Sequence, residues 1–89
     1  MVKTTLAVIN KLGLHARAAA RIVETASAFH SDIRLSVDNK TVDGKSIMSI
    51  MMLGATQNTE VWVSADGHDE RAALDALNDL FEARFGEDE

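Results

Sequence analysis

His15 stands where a chain could use a histidine as a nucleophile. In Asn10-Lys11-Leu12-Gly13-Leu14-His15-Ala16-Arg17-Ala18-Ala19-Ala20 it falls where a loop gives way to helix-forming residues, and Arg17 follows two positions on. The first turn of a helix leaves backbone N–H groups unpaired and carries roughly half a positive charge. Ala16 and Arg17 therefore stand where an anion, a phosphoryl group above all, is accommodated. The same field disfavours imidazolium, which keeps the ring neutral, and so nucleophilic, near pH 7. Arg17 adds a permanent cation within reach of phosphoryl oxygens. The combination suits attack on phosphorus, although a histidine at a helix start is more often a cap or a surface residue. His30 and His68 lie near expected loops with no arginine two positions on, and are assigned to the surface. No two of the three histidines are close in sequence and there is no cysteine, so neither a metal site nor a disulfide is expected.

The elements around these residues follow from changes in apolar period. Thr4-Thr5-Leu6-Ala7-Val8-Ile9 reads as a buried strand. Gly13 then frees the backbone before a helix from Ala16 to about Phe29, with Ala19, Ile22, Val23 and Ala26 on one stripe. Ile33, Leu35 and Val37 alternate with polar residues as a strand does, and Asp38-Asn39 turns the chain into a short strand at 40–43. Ser46 is placed to cap a short helix over 47–53. A fourth strand covers 60–65, and a last helix begins near Asp69 with Ala73, Leu74, Leu77, Leu80 and Phe81 inward. Gly86 is expected to end it, leaving Glu87-Asp88-Glu89 trailing in solvent. The order βαββαβα implies a single α+β domain over 1–89: an antiparallel sheet with helices on one side.

Composition bounds the function. A 46% hydrophobic fraction is ordinary for a globular domain. A net charge of −5 argues against non-specific nucleic-acid binding. The one-sided sheet is also the plan of RNA-binding and small-ligand regulatory modules. RNA binding needs a basic face with strand aromatics, and Trp62 is the only aromatic in an expected strand. No 18-residue apolar run exists, so no membrane insertion is expected and the cytoplasm is the default compartment. With no Gly-rich phosphate loop, no carboxylate pair set to hold magnesium and no nucleotide motif, the chain is expected to receive a phosphoryl group rather than make one. No cofactor is expected.

Two stretches carry a resemblance. Lys11-Leu12-Gly13-Leu14-His15-Ala16-Arg17 is similar to the active-site signature of the HPr family, the histidine phosphocarriers of the bacterial sugar phosphotransferase system. Gly44-Lys45-Ser46-Ile47-Met48-Ser49-Ile50-Met51 resembles the same family's second signature, which carries a regulatory serine. Their spacing, the element order and the length agree, so the resemblance spans nearly the whole chain. It implies an open-faced β-sandwich, four antiparallel strands under three helices. It further implies a cytoplasmic monomer that is a carrier and not an enzyme, charged on His15 by enzyme I from phosphoenolpyruvate and discharged by enzyme IIA-type domains. Arg17 would be the charge partner, and Ser46 matches the position that an HPr kinase/phosphorylase modifies in some branches. Two features depart from the common pattern. Ala18 stands where many members have proline, and the end Phe81–Glu89 is as similar to the nitrogen-related branch as to the sugar branch. Ile47, Met48 and Met51 are the expected partner-docking residues, since a short helix cannot bury them all and methionine repacks readily against different partners. The alternative function is a non-catalytic docking module of the same fold, controlled through Ser46.

Overall fold

The structure is a computed structural model that describes residues 1–89. Four strands, β1 (Val2–Ala7), β2 (Asp32–Val37), β3 (Lys40–Asp43) and β4 (Glu60–Asp66), form one antiparallel sheet in the order β1-β4-β2-β3. Alternation sorts each strand into two faces. Val61, Val63 and Ala65 of β4 are buried beside Leu6, Ile33 and Leu35, whereas Trp62, Lys3 and Arg34 face solvent. Helices α1 (Ala16–Ser27), α2 (Ile47–Met51) and α3 (Glu70–Glu82) cover the apolar face. The result is the expected open-faced sandwich. Ala18, Ala19, Ile22 and Ala26 form the buried stripe of α1, and Ala73, Leu74, Leu77 and Phe81 that of α3. Alanines on the inner face of α1 let it lie close to α2 and α3.

Three boundaries differ from the sequence reading. β1 runs over 2–7 rather than 4–9, because past Ala7 the chain bonds a turn instead: the Val8 N–H donates to the Thr59 carbonyl, and the Asn58 N–H donates to the Val8 carbonyl. α1 stops at Ser27, where the Ala28 and Phe29 N–H groups close three-residue turns and the Lys45 ammonium takes up the Phe29 carbonyl. α2 ends at Met51, two residues short of 47–53.

The largest correction is at the C-terminus. After α3, Arg84, Phe85 and Gly86 all adopt left-handed backbone angles (φ 54°, 56° and 82°), which reverses the chain in a single 3₁₀ turn. Non-glycine residues hold such angles only when their surroundings compensate. Here Phe85 is buried, its ring edge-on to Phe81 at 4.8 Å between centroids. Asp88 and Glu89 are exposed as expected, but Glu87 is drawn in and the tail is tied back to the body of the molecule. The Lys11 N–H donates to the Glu89 carbonyl and the Lys11 ammonium lies 3.5 Å from the Glu89 carboxylate, so the tail runs back along the loop before α1.

Candidate functional site

The loop that delivers His15 is built around Asn10 and Gly13. The Asn10 side chain is fully buried and its Nδ2 donates to the Gly13 carbonyl at 2.8 Å, while the Gly13 N–H returns to the Asn10 carbonyl. Gly13 has a φ of 69°, and a Cβ there would lie 2.6 Å from the Ala55 carbonyl oxygen, so no side chain fits. Leu14 is buried, and its N–H donates to that same carbonyl. Anchored on both sides, His15 becomes the N-cap of α1.

The ring of His15 is held at both nitrogens. Nδ1 accepts the Arg17 N–H at 3.3 Å, so its lone pair points at the first turn of α1. Nε2 meets the Glu87 carboxylate in a short hydrogen bond. A carboxylate only accepts, so the Nε2 proton donates to Glu87 and Nδ1 keeps the lone pair of the nucleophilic nitrogen. His15 keeps 28% of its side chain exposed, enough for a reactant to approach, while Glu87 keeps 12%. Glu87 is held in turn by Asn10 Nδ2, 3.0 Å from its second oxygen. Burial is the strongest single influence on the Glu87 carboxyl and acts to raise its pKa. The hydrogen bonds from Asn10 and His15, with the charges of His15 and Arg17, outweigh it and hold the group below the ordinary glutamate range. Ala18, in the place many relatives give to proline, is buried in the first turn, and the helix starts at Ala16 without it.

Arg17 is exposed and has no carboxylate within 4 Å. It lines an open groove of about 530 Å³ with Lys11, Arg21 and the tail from Phe85 to Glu89. The N-terminal turn of α1 stands at Nδ1, and Arg17 opens onto a groove that Lys11 and Arg21 line together with the carboxylates of Glu87, Asp88 and Glu89. This arrangement can attack a phosphorus atom and bind the oxygens of the group it receives.

The other expected residues sit apart from the ring. Ser46 caps α2: its Oγ accepts the Ser49 N–H at 3.3 Å and its hydroxyl donates to Ser49 Oγ at 2.9 Å. Ile50 and Leu53 are core residues, while Ile47, Met48 and Met51 are exposed, as is Met52. α2 packs against α1, so this apolar surface belongs to the same side of the molecule as the helix that carries His15. His30 and His68 are both exposed and, though distant in sequence, lie 5.2 Å apart between ring centroids with their planes tilted by 38°. Sequence reasoning missed Asn10 and Glu87. One signal was available for Glu87: Phe85 follows Phe81 at helical spacing, and a phenylalanine so near the end draws the tail onto the core.

Comparison with known proteins bears on the whole chain. Residues 2–83 match the PTS-HPr family, described as the PTS HPr component phosphorylation site. The phosphocarrier protein HPr of Xylella fastidiosa strain Temecula1 is 51% identical over 88 residues, covering 99% of each chain. The crystal structure of HPr-C-His from Thermoanaerobacter tengcongensis superposes with a TM-score of 0.95 at 52% identity, covering all of both chains. A crystal structure described as an HPr dimer from the same organism gives 0.78 at 53% identity, covering 98% of this chain and all of that one. A fold, a loop-to-helix histidine and full-length likeness all agree, and the chain belongs to the HPr family of phosphocarrier proteins.

Proposed function

We propose that this chain carries a phosphoryl group on Nδ1 of His15, accepting it from enzyme I and passing it to enzyme IIA-type domains of the phosphotransferase system. The observation that carries the reading is the orientation of the ring: Nδ1 faces the first turn of α1 while Nε2 is occupied by Glu87. Nδ1 attacks the phosphorus of the donor's phosphoryl group, a new P–N bond forms, and the electron pair of the broken bond returns to the donor atom that held the phosphorus. The amides of Ala16 and Arg17 and the Arg17 guanidinium take the phosphoryl oxygens without forming bonds of their own, which keeps the group transferable. The chain is thus a reactant that cycles between partners and not an enzyme with its own turnover. It acts as a monomer in the cytoplasm, and no helix is long and apolar enough to cross a membrane. Partners dock on Ile47, Met48 and Met51. Where the host has an HPr kinase/phosphorylase, Ser46 is its target.

Incubation with enzyme I, magnesium and phosphoenolpyruvate, followed by intact-mass measurement, tests the reading. One acid-labile, base-stable phosphoryl group is expected on the wild-type chain and none on His15→Ala. Uptake by the His15→Ala protein, or label on His30 or His68, would overturn it.

A further inference from the structure

We propose that Glu87, held by the buried Asn10, is a positioning residue for phosphoryl transfer: it fixes the proton of His15 on Nε2 and neutralises the ring once Nδ1 is phosphorylated. This rests on the reading of His15 as the phosphoryl-bearing residue and adds a group from the far end of the chain.

Four observations carry it. The Glu87 carboxylate meets Nε2 directly, whereas an exposed tail residue would be solvated. Its second oxygen is occupied by Asn10 Nδ2, whose other hydrogen goes to the Gly13 carbonyl, so the carboxylate is tied to the loop that delivers His15. The Asn10 amide can be oriented in one way only. Turned over, its oxygen would face both the Gly13 carbonyl and the Glu87 carboxylate, two acceptors. The observed orientation leaves Asn10 Oδ1 buried with no partner. An unpaired buried oxygen is unfavourable, and it is tolerated here by the two hydrogen bonds on the other side of the amide. Finally, the tail is placed by features that hold irrespective of the ring: buried Phe85, three consecutive left-handed residues, and Lys11 bonded to Glu89. Glu87 is carried to His15 by the fold.

The consequence for the reaction follows from the proton. Free imidazole divides its proton between two nitrogens, and a molecule with the proton on Nδ1 has no lone pair to offer at the helix end. A carboxylate on Nε2 removes that unproductive form. When Nδ1 bonds phosphorus and Nε2 keeps its proton, the ring gains a positive charge, and Glu87 already faces it. The stabilisation is therefore larger in the phosphorylated state and in the approach to it than in the resting ring, which is the condition for an effect on rate. A carboxylate that orients a metal-bound histidine ring commonly contributes a factor of about 10–100, and an effect of that size is expected of Glu87.

The test compares wild type with Glu87→Gln, Glu87→Ala and Asn10→Ala. Long-range proton–nitrogen NMR reads the His15 tautomer, and rapid-quench kinetics with phosphorylated enzyme I reads the transfer rate. The wild-type ring is expected to be protonated on Nε2. Glu87→Ala should populate the Nδ1-protonated form and slow transfer about 10–100-fold at saturating donor, with apparent affinity nearly unchanged. Glu87→Gln, which still accepts one hydrogen bond but lacks the charge, should keep the tautomer and transfer at an intermediate rate. Asn10→Ala should resemble Glu87→Ala in tautomer if it still folds by circular dichroism. If Glu87→Ala keeps the wild-type tautomer and rate while wild type is phosphorylated on His15, the positioning role is wrong and the carrier reading stands. If wild type takes up no phosphoryl group on His15, both fall.

Discussion

At His15 the proton and the lone pair of one ring are assigned by neighbours from different parts of the chain. The Arg17 N–H claims Nδ1, and Glu87, 72 residues away, claims Nε2. Arg17 itself plays a different part. Its guanidinium is committed to no carboxylate, so it is free to bind phosphoryl oxygens as charge redistributes during transfer. Arg17→Ala should lower the rate of phosphoryl transfer from enzyme I by about 10²–10³ at saturating donor, the loss typical of one such charge-stabilising contact. Stopped-flow or quench kinetics over a range of carrier concentrations separates rate from affinity. A change confined to apparent affinity would make Arg17 a docking residue instead.

Among the elements, α2 shows how a cap and a switch can share one hydroxyl. Ser46 accepts the Ser49 N–H and donates to Ser49 Oγ, and beyond it lie exposed Ile47, Met48 and Met51. A negative charge at this position lies at the favourable end of the helix dipole, so it does not melt the helix. It would act on a docking partner, as charge placed beside an apolar contact face. Ser46→Asp is expected to keep or slightly raise the melting temperature and still slow phosphorylation of His15 by enzyme I. Ser46→Ala should lose about 1 kcal/mol of stability and transfer normally. Thermal melts and the enzyme I assay on both variants check this pair, and a wild-type rate for Ser46→Asp would move the docking face elsewhere.

For the molecule as a whole, stability and chemistry are anchored at opposite ends of α1. His15 is at its start. Beyond its end, the Asp69 carboxylate takes the Ser31 hydroxyl and the His30 and Ser31 N–H groups, joining the turn before β2 to the start of α3. The Ser31 hydroxyl and the His30 N–H, with smaller help from the Ser31 N–H and the His68 charge, overcome a desolvation cost and hold the Asp69 carboxyl down to about 2. Because the folded value lies below the unfolded one, the unfolded chain takes up its proton first as pH falls. The contribution of Asp69 to stability is present above the ordinary aspartate value of 3.8 and disappears as pH falls through about 2. Asp69→Asn should therefore melt at a lower temperature than wild type at neutral pH, with the gap closing as pH falls through that window. Phosphoryl acceptance by His15 should be unaffected. Melting curves from pH 7 to pH 2 check the expectation, and a gap of constant size would remove the carboxylate clamp.

Much of this protein follows from local rules that act along the chain. Alternation in β2 and β4, the apolar stripes of α1 and α3, the Ser46 cap and the loop-to-helix place of His15 are all short-range patterns, and each appears in the structure where the sequence puts it or within a few residues. Local rules also predicted a free C-terminus, since Gly86 and three acidic residues read as an exposed end. Tertiary packing decided otherwise. Phe85, buried against Phe81, helps to hold the left-handed turn in place, and that reversal returns Glu87 to the ring it faces. Asn10 read as loop polarity, and only the folded chain makes it the buried link between the Gly13 turn and the tail. Short-range patterns alone settle which histidine stands at a helix start. Long-range packing settles which of its nitrogens keeps the lone pair, because the group that holds the proton on the other arrives from the opposite end of the chain.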